Sequence, residues 1–439
     1  MSFRDPASVY AWAESFTNLE RNLPALDKRV WRLDRMRRLL EAAGGPDTRL
    51  RSFHVAGSKG KGSTAALMAG VLTASGRKTG LYTSPHVSSP LERISVDGGP
   101  PDPVLFTGIA DQTRALVDRL AGSLPGGFSP TTFELLTLLA FLAFREAGCD
   151  DAVVETGIGG RLDATNVITP EASVVTPLDL EHTDILGDTI EEIAAEKAGI
   201  IKEGVPAFAA GRPPESKDVF RRAAALRGAP LAFLDEEVDI GPVTPGLAGT
   251  VFTLRLSGAE PVSFTLSMPG AHQAENAALA YLCLRRTRDG ITEAQFRSGF
   301  AATRLPGRME IVPGSPPVVL DGAHTPLAVR RLLEAFQALY PGGGVLLFGS
   351  VSGKRPREMA EVLAPAFDRI VISRPNAFKP SEPQEVWTIF RQMHKGVELL
   401  EDPVRALARA RELAGGRPIL VTGSFYMVSE IRALLVGVR

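Results

Sequence analysis

From Leu50 onward, short apolar runs that end in glycine or a polar residue alternate with helical patterns. This is the signature of βαβ units, and it predicts an α/β chain built on mainly parallel sheets. Residues 53–56 read as a strand, 57–62 as a glycine-rich turn, and 63–75 as a helix stopped by Gly76. Thr131 and Glu134 form a capping box that opens a strongly apolar helix running to Glu146. Residues 152–154 deliver Glu155 to a strand's carboxyl end, and 172–176 lead into a polar turn holding Asp179, Glu181 and His182.

At 439 residues the chain exceeds a single hydrophobic core, so two domains are expected. Pro306 and Gly307 mark the linker, because a second βαβ series follows at once, with strands over 318–320, 345–348, 369–372 and 419–421. The expected domains are 1–303 and 304–439, the first carrying a small β-rich insertion over about 231–270 where Pro and Gly punctuate alternating runs. The second domain looks Rossmann-like but has no GxGxxG turn after its first strand, so no dinucleotide is expected there.

Lys plus Arg (49) nearly cancels Asp plus Glu (50), which gives no electrostatic case for nucleic acid or a membrane surface. Cys149 and Cys283 are too few for a disulfide framework, the N-terminus has no apolar signal core, and the most apolar run, 135–144, is too short to span a bilayer. The expectation is a cytoplasmic monomer with small-molecule partners.

Between strand and helix, Gly57-Ser58-Lys59-Gly60-Lys61-Gly62-Ser63-Thr64 would surround an anion with backbone amides and a helix N-terminus. Lys61 would reach terminal phosphates and Ser63 would ligate Mg²⁺, although the loop is shorter than GxxxxGK[ST] and Gly62 separates the two. A flexible Gly/Lys turn is the alternative. Glu155 is placed as an acidic magnesium ligand or, more plainly, as a solvated strand-end glutamate. His182, grouped with Asp179, Glu181 and Asp184, reads as a metal ligand or a structural histidine. Lys197 shares the helical stripe of Ile190, Ile193 and Ala194 behind a Thr189–Glu192 capping box, so it faces inward. Either it snorkels to solvent, or desolvation leaves a neutral amine able to take up CO₂ as a metal-binding carbamate.

Taken together, these motifs and others resemble the folylpolyglutamate synthase/dihydrofolate synthase family of the Mur ligase superfamily, in consistent order over about 33–431. The others are Thr83-Ser84-Pro85-His86 with Glu92-Arg93, Glu155 to Asn166, Glu196-Lys197-Ala198-Gly199-Ile200, Pro269-Gly270-Ala271-His272-Gln273 with Asn276, Gly307-Arg308, Asp321-Gly322-Ala323-His324 and Thr422-Gly423-Ser424-Phe425. The resemblance implies an N-terminal P-loop ATPase domain and a C-terminal Rossmann-like domain, with L-glutamate joined to a folate or dihydropteroate carboxylate in the cleft between them.

It also implies ATP and two Mg²⁺ as cofactors. Lys61 and the loop amides would hold phosphates, Ser63 and Glu155 one Mg²⁺, and His182 with carbamylated Lys197 the other. Asn276, Arg308, Asp321 and His324 would surround the nucleotide. Ser84, His86 and Arg93 fall on a substrate loop, and Phe133 and Asp163 lie near the pterin or the incoming glutamate. Ser58-Lys59, Glu181, Thr325 and the stretch 373–380 depart from the family's usual residues. Another amino-acid ligase of the superfamily, or a P-loop ATPase switch, are the rival readings.

Overall fold

A computed structural model describes residues 2–19, 32–48, 50–127, 129–375 and 379–437. In the first half, β1 (Arg51–Ala56), β2 (Thr79–Tyr82), β3 (Ile94–Val96), β4 (Asp151–Glu155), β5 (Ala172–Val175), β6 (Ala207–Ala209) and β7 (Leu231–Phe233) form one sheet. Their order is β3-β2-β4-β1-β5-β6-β7, parallel except for the β2–β3 pair at one edge.

Helices cover both faces, so the central strands β1, β4 and β5 are buried almost throughout, polar residues included. Side-chain alternation divides the core: Phe53, Val55 and Val153 pack with the helices Lys61–Ala74 and Ala271–Thr287, while Ala152 and Val154 pack with Pro103–Leu120 and Thr132–Ala147. The register pairs Val55 with Glu155 and Ala56 with Val175. The loops that follow β1, β4 and β5 therefore emerge side by side at the carboxyl edge of the sheet, where open α/β sheets bind ligands.

The helix after β1 begins at Lys61, two residues before the expected start, because Gly60 takes a left-handed conformation (φ +86°) and turns the chain straight into it. The antiparallel sheet is also narrower than expected. β7 joins the main sheet as the last of its parallel strands, so the separate three-stranded sheet starts at β8 (Val238–Gly246) and continues through β9 (Gly249–Leu256) and β10 (Val262–Leu266).

The second half is a six-stranded sheet of β11 (Glu310–Val312), β12 (Val318–Leu320), β13 (Val345–Phe348), β14 (Arg369–Ile372), β15 (Val397–Leu399) and β16 (Ile419–Thr422), in the order β11-β12-β16-β13-β14-β15. Only β11 runs antiparallel to its neighbour. The four inner strands lie where the sequence places them. The edge strands β11 and β15 are three-residue, half-polar runs that give no strand signal by themselves.

Candidate active site

The loop after β1 is pressed between β5 and the helix Ala271–Thr287. A Cβ at Gly57 (φ +143°) would lie 1.9 Å from Thr176 Oγ1, and one at Gly60 would lie 2.2 Å from Asn276 Oδ1, so only glycine fits either place. Ser58 and Lys59 donate their backbone N–H groups to Pro177 O at 3.1 and 3.0 Å. No side chain caps the helix that starts at Lys61, which leaves its first turn open to an anion. Ser58, Lys59, Gly60, Lys61, Ser63 and Asn276 line the cleft beside it. Asn276 is held by Gln273, to which its Nδ2 donates at 2.9 Å. Thr64 is fully buried behind the loop, and its N–H is committed to Gly60 O at 2.8 Å.

Glu155 is buried at the end of β4, close against the first turn of this helix: a Cβ on Gly62 would be 3.3 Å from its Oε2. Ser84 N donates to that oxygen at 2.9 Å. Burial raises the carboxyl above its ordinary range, with Lys61, the Ser84 N–H, Arg308 and Arg93 opposing. A desolvated carboxylate that accepts from the Ser84 N–H and stands against the start of an uncapped helix is a suitable magnesium ligand.

Lys197 is 1% exposed, so the snorkelling alternative does not hold. Its Nζ donates to Gly57 O at 2.7 Å and to Glu181 Oε1 at 3.4 Å. Burial pushes its amine down to about 8, with Glu181 opposing. Burial also works against the Glu181 carboxylate, but Lys59, Lys197 and Lys61 together hold it well below the usual carboxylate range. His182, in a left-handed conformation (φ +50°), is pushed down to about 4 by burial despite Glu181, leaving a neutral imidazole at pH 7.

The opposite wall comes from the second half of the chain. Asp321 accepts from Met309 N and Ala323 N, both at 2.9 Å, which fastens the start of β11 to the end of β12. His324 Nδ1 donates to Gly322 O at 2.8 Å, and burial drives its ring well below the ordinary range, so Nε2 presents a lone pair. Arg308, Asp321 and His324 all line the cleft, and Thr325 Oγ1 spans it to Asp179 Oδ2 at 3.3 Å.

Residues 55–284 match the Mur ligase middle domain and 307–425 match the Mur ligase, glutamate ligase domain. The dihydrofolate synthase/folylpolyglutamate synthase of Bacillus subtilis (strain 168) is 35% identical over 410 residues, covering 92% of this chain and 94% of its own. The chain belongs to the folylpolyglutamate synthase/dihydrofolate synthase family. The folylpolyglutamate synthase of Lacticaseibacillus casei is 34% identical over 91% of this chain and 93% of its own length. Among solved structures, Mycobacterium tuberculosis folylpolyglutamate synthase complexed with ADP superposes with a TM-score of 0.87 at 31% identity, covering 93% and 96% of the two chains. An FPGS–AMPPCP–folate complex superposes with a TM-score of 0.83 at 31% identity, covering 98% and 99%.

Of the residues that the family resemblance marks for substrate binding, Ser84, His86, Phe133 and Asp163 line the cleft, while Arg93 is buried behind His86 and donates from Nε to its Nδ1 at 2.9 Å. Asp163 is a brace. Its Oδ2 accepts from Gly157 N and Ile158 N (2.9 and 3.1 Å), and its Oδ1 from the Thr165 N–H and hydroxyl (3.0 and 2.5 Å). Those bonds occupy the carboxylate, so Asp163 shapes the 157–160 wall, against which the Phe133 ring packs.

Two features of this family member escaped the sequence reading. Arg35 and Glu134, 99 residues apart, form a buried ion pair on the cleft wall, with Nε donating to both carboxylate oxygens at 2.9 and 2.8 Å. Lys354, in the loop after β13, enters the cleft with no hydrogen bond or ion pair among the described residues, and burial beside Lys59 and Lys379 pushes its amine down to about 8. Its place beyond a strand's carboxyl end was the available signal. In the departing stretch 373–380, residues 376–378 lie outside the described ones. Among the described residues, no three His, Cys, Asp or Glu side chains stand close enough to share a metal ion, so any magnesium here would need substrate oxygens or a modified side chain.

Proposed function

We infer that the chain is an ATP-dependent amide ligase that joins L-glutamate to the carboxylate of a folate or dihydropteroate. The observation that carries this reading is one cleft with an uncapped helix start and Lys61 on one wall and, on the other, Arg308 and Lys354, neither of which makes a hydrogen bond or ion pair among the described residues. Relatives that carry the family's name, and neighbours holding ADP, or AMPPCP with folate, support it.

In this reading the acceptor carboxylate attacks the γ-phosphorus of ATP, giving ADP and an acyl phosphate; the glutamate amine then displaces phosphate. Lys61 and the amides of its helix's first turn hold the phosphates, the N–H groups of Ser58, Lys59 and Thr64 being engaged by Pro177 and Gly60, and Arg308 approaches from the other wall. Lys354 receives a carboxylate of the incoming glutamate. Ser63 and Glu155 would hold one Mg²⁺ and His182 with Lys197, as a carbamate, a second; such ions supply charge neutralisation at the transferred phosphoryl group. Burial raises the thiols of both Cys149 and Cys283, so neither is a thiolate nucleophile at neutral pH. Closure of the two walls excludes water from the acyl phosphate.

The same reading divides the chain into domains at 1–303 and 304–439 and takes the enzyme to be a cytoplasmic monomer. No helix among the described residues is long and apolar enough to cross a membrane. The test is mass spectrometry of products from dihydropteroate and from tetrahydrofolate, each with ATP and glutamate. ADP and phosphate should form in step with a glutamate adduct of at least one acceptor, and the choice between acceptors identifies the substrate. Steady ATP turnover without an adduct would favour a nucleotide switch, and an adduct formed only on another acceptor would favour a different superfamily ligase.

A further inference from the structure

The turn from β16 into the helix Phe425–Val436 carries Phe425 into the cleft from a rigid base. Gly423 N donates to Ala323 O at 3.0 Å, and the Ser424 hydroxyl donates to Gly349 O at 2.9 Å while accepting from Met427 N at 3.1 Å. Gly322 leaves room for the ring, since a Cβ there would lie 2.0 Å from Phe425 Cε1.

Two cleft residues meet this ring. The Arg308 guanidinium lies over it, 4.2 Å from the centroid, and the His324 ring meets it edge-on with centroids 5.6 Å apart. Among the described residues Arg308 makes no hydrogen bond or ion pair, and burial disfavours its charge, with Asp321 and Glu155 opposing through space. An arginine held by a carboxylate commits its N–H fork to that partner, whereas one held on an aromatic face keeps every donor for a ligand. The attraction is also stronger in a desolvated setting than at an open surface.

We propose that Phe425 is a positioning residue, whose ring holds the Arg308 guanidinium and the His324 imidazole in place to meet the phosphates of the bound nucleotide. This rests on the reading of the cleft as a nucleotide site. A ring that merely filled space could be replaced by any apolar side chain of similar size, which separates the two roles experimentally.

The test is a double-mutant cycle on the full chain with Phe425→Leu and Arg308→Ala, following ADP affinity by calorimetry, ligation rate and thermal unfolding. Phe425→Leu should leave the unfolding temperature nearly unchanged yet weaken ADP binding or slow ligation roughly tenfold. Phe425→Tyr should retain both, and Phe425→Leu should add nothing once Arg308 is alanine. Full ADP affinity and rate in Phe425→Leu, or losses that simply add in the double variant, would reduce Phe425 to packing. ADP affinity and rate unchanged by Arg308→Ala would instead remove Arg308 from the nucleotide site and the proposal with it. Should Phe425→Leu fail to fold, Phe425→Met enters the same cycle.

Discussion

Lys197 Nζ donates a 2.7 Å hydrogen bond to the carbonyl oxygen of Gly57, joining the last turn of the helix Ile190–Ala198 to the first residue of the glycine-rich loop after β1. With its amine pushed down to about 8 by burial, a useful fraction is neutral near physiological pH and able to add CO₂, releasing a proton to solvent. Glu181, 3.4 Å away, favours the ammonium, so a cation between them is needed to stabilise the carbamate. Carbon-13 NMR with labelled bicarbonate should therefore show a carbamate signal that requires Mg²⁺ and nucleotide and is lost in Lys197→Ala. No signal under any of these conditions, together with full activity of the alanine variant, would leave Lys197 as a loop anchor.

Lys61→Ala and Glu155→Ala should each cut the ligation rate by at least about a hundredfold, the usual scale for removing one preorganised charge from a phosphoryl-transfer site. Circular dichroism should show an intact fold in both, because Lys61 projects into the cleft and Glu155 is a buried carboxylate whose charge burial disfavours. Near wild-type rates in either variant would place the nucleotide elsewhere.

Lys354 offers a charge with no protein partner among the described residues, so its substitution should separate glutamate binding from nucleotide binding. Lys354→Met is expected to raise the KM for glutamate by more than about tenfold, while ADP affinity measured by calorimetry stays within about twofold. Equal losses on both ligands would assign Lys354 to the phosphates.

What could be read in advance was local. The Thr131–Glu134 capping box and the inward face of Lys197 depend on residues within one or two helical turns, and both are present as expected. The inner strands of the second sheet are apolar runs with turn residues nearby, so period and punctuation suffice. What could not be read depends on tertiary placement. β11 becomes a strand only beside β12. Arg35 meets Glu134 across 99 residues of chain, and the occupied state of Asp163 depends on how the 157–165 loop folds back. Residue types gave the cast of the cleft, and packing decided which of them face it, which brace it and which stand behind.

The Arg35–Glu134 pair should be costly to break on one side only. Glu134 also accepts from Thr131 N at 2.7 Å, and burial raises its carboxyl, with Arg35 opposing. Arg35→Met leaves that carboxylate buried without its guanidinium, and denaturant unfolding should show a loss of about 3 kcal/mol or more. Arg35→Met with Glu134→Gln should recover part of the loss, since the amide can still serve the capping box without charge. A loss under about 0.5 kcal/mol in the single variant would show that solvent reaches the pair.

His54 sits fully buried in β1, and its Nε2 lies 2.8 Å from Thr165 Oγ1. Because the Thr165 hydroxyl donates to Asp163 at 2.5 Å, its oxygen accepts from His54, which fixes the proton on Nε2. Burial pushes the imidazole down to about 3, with Lys202 adding to the effect. At pH 7 the ring is neutral in both folded and unfolded chains. As the pH falls below about 6.5 the unfolded chain takes up a proton that the folded chain refuses until about 3, so stability is lost across that window. His54→Gln keeps an N–H donor for Thr165 and cannot titrate. Its unfolding free energy should fall less steeply than the parent's between pH 6.5 and 4, with the two curves parallel above pH 7. Curves that stay parallel down to pH 4 would mean that other acid-sensitive groups account for the slope and that the ring accepts its proton in the folded state.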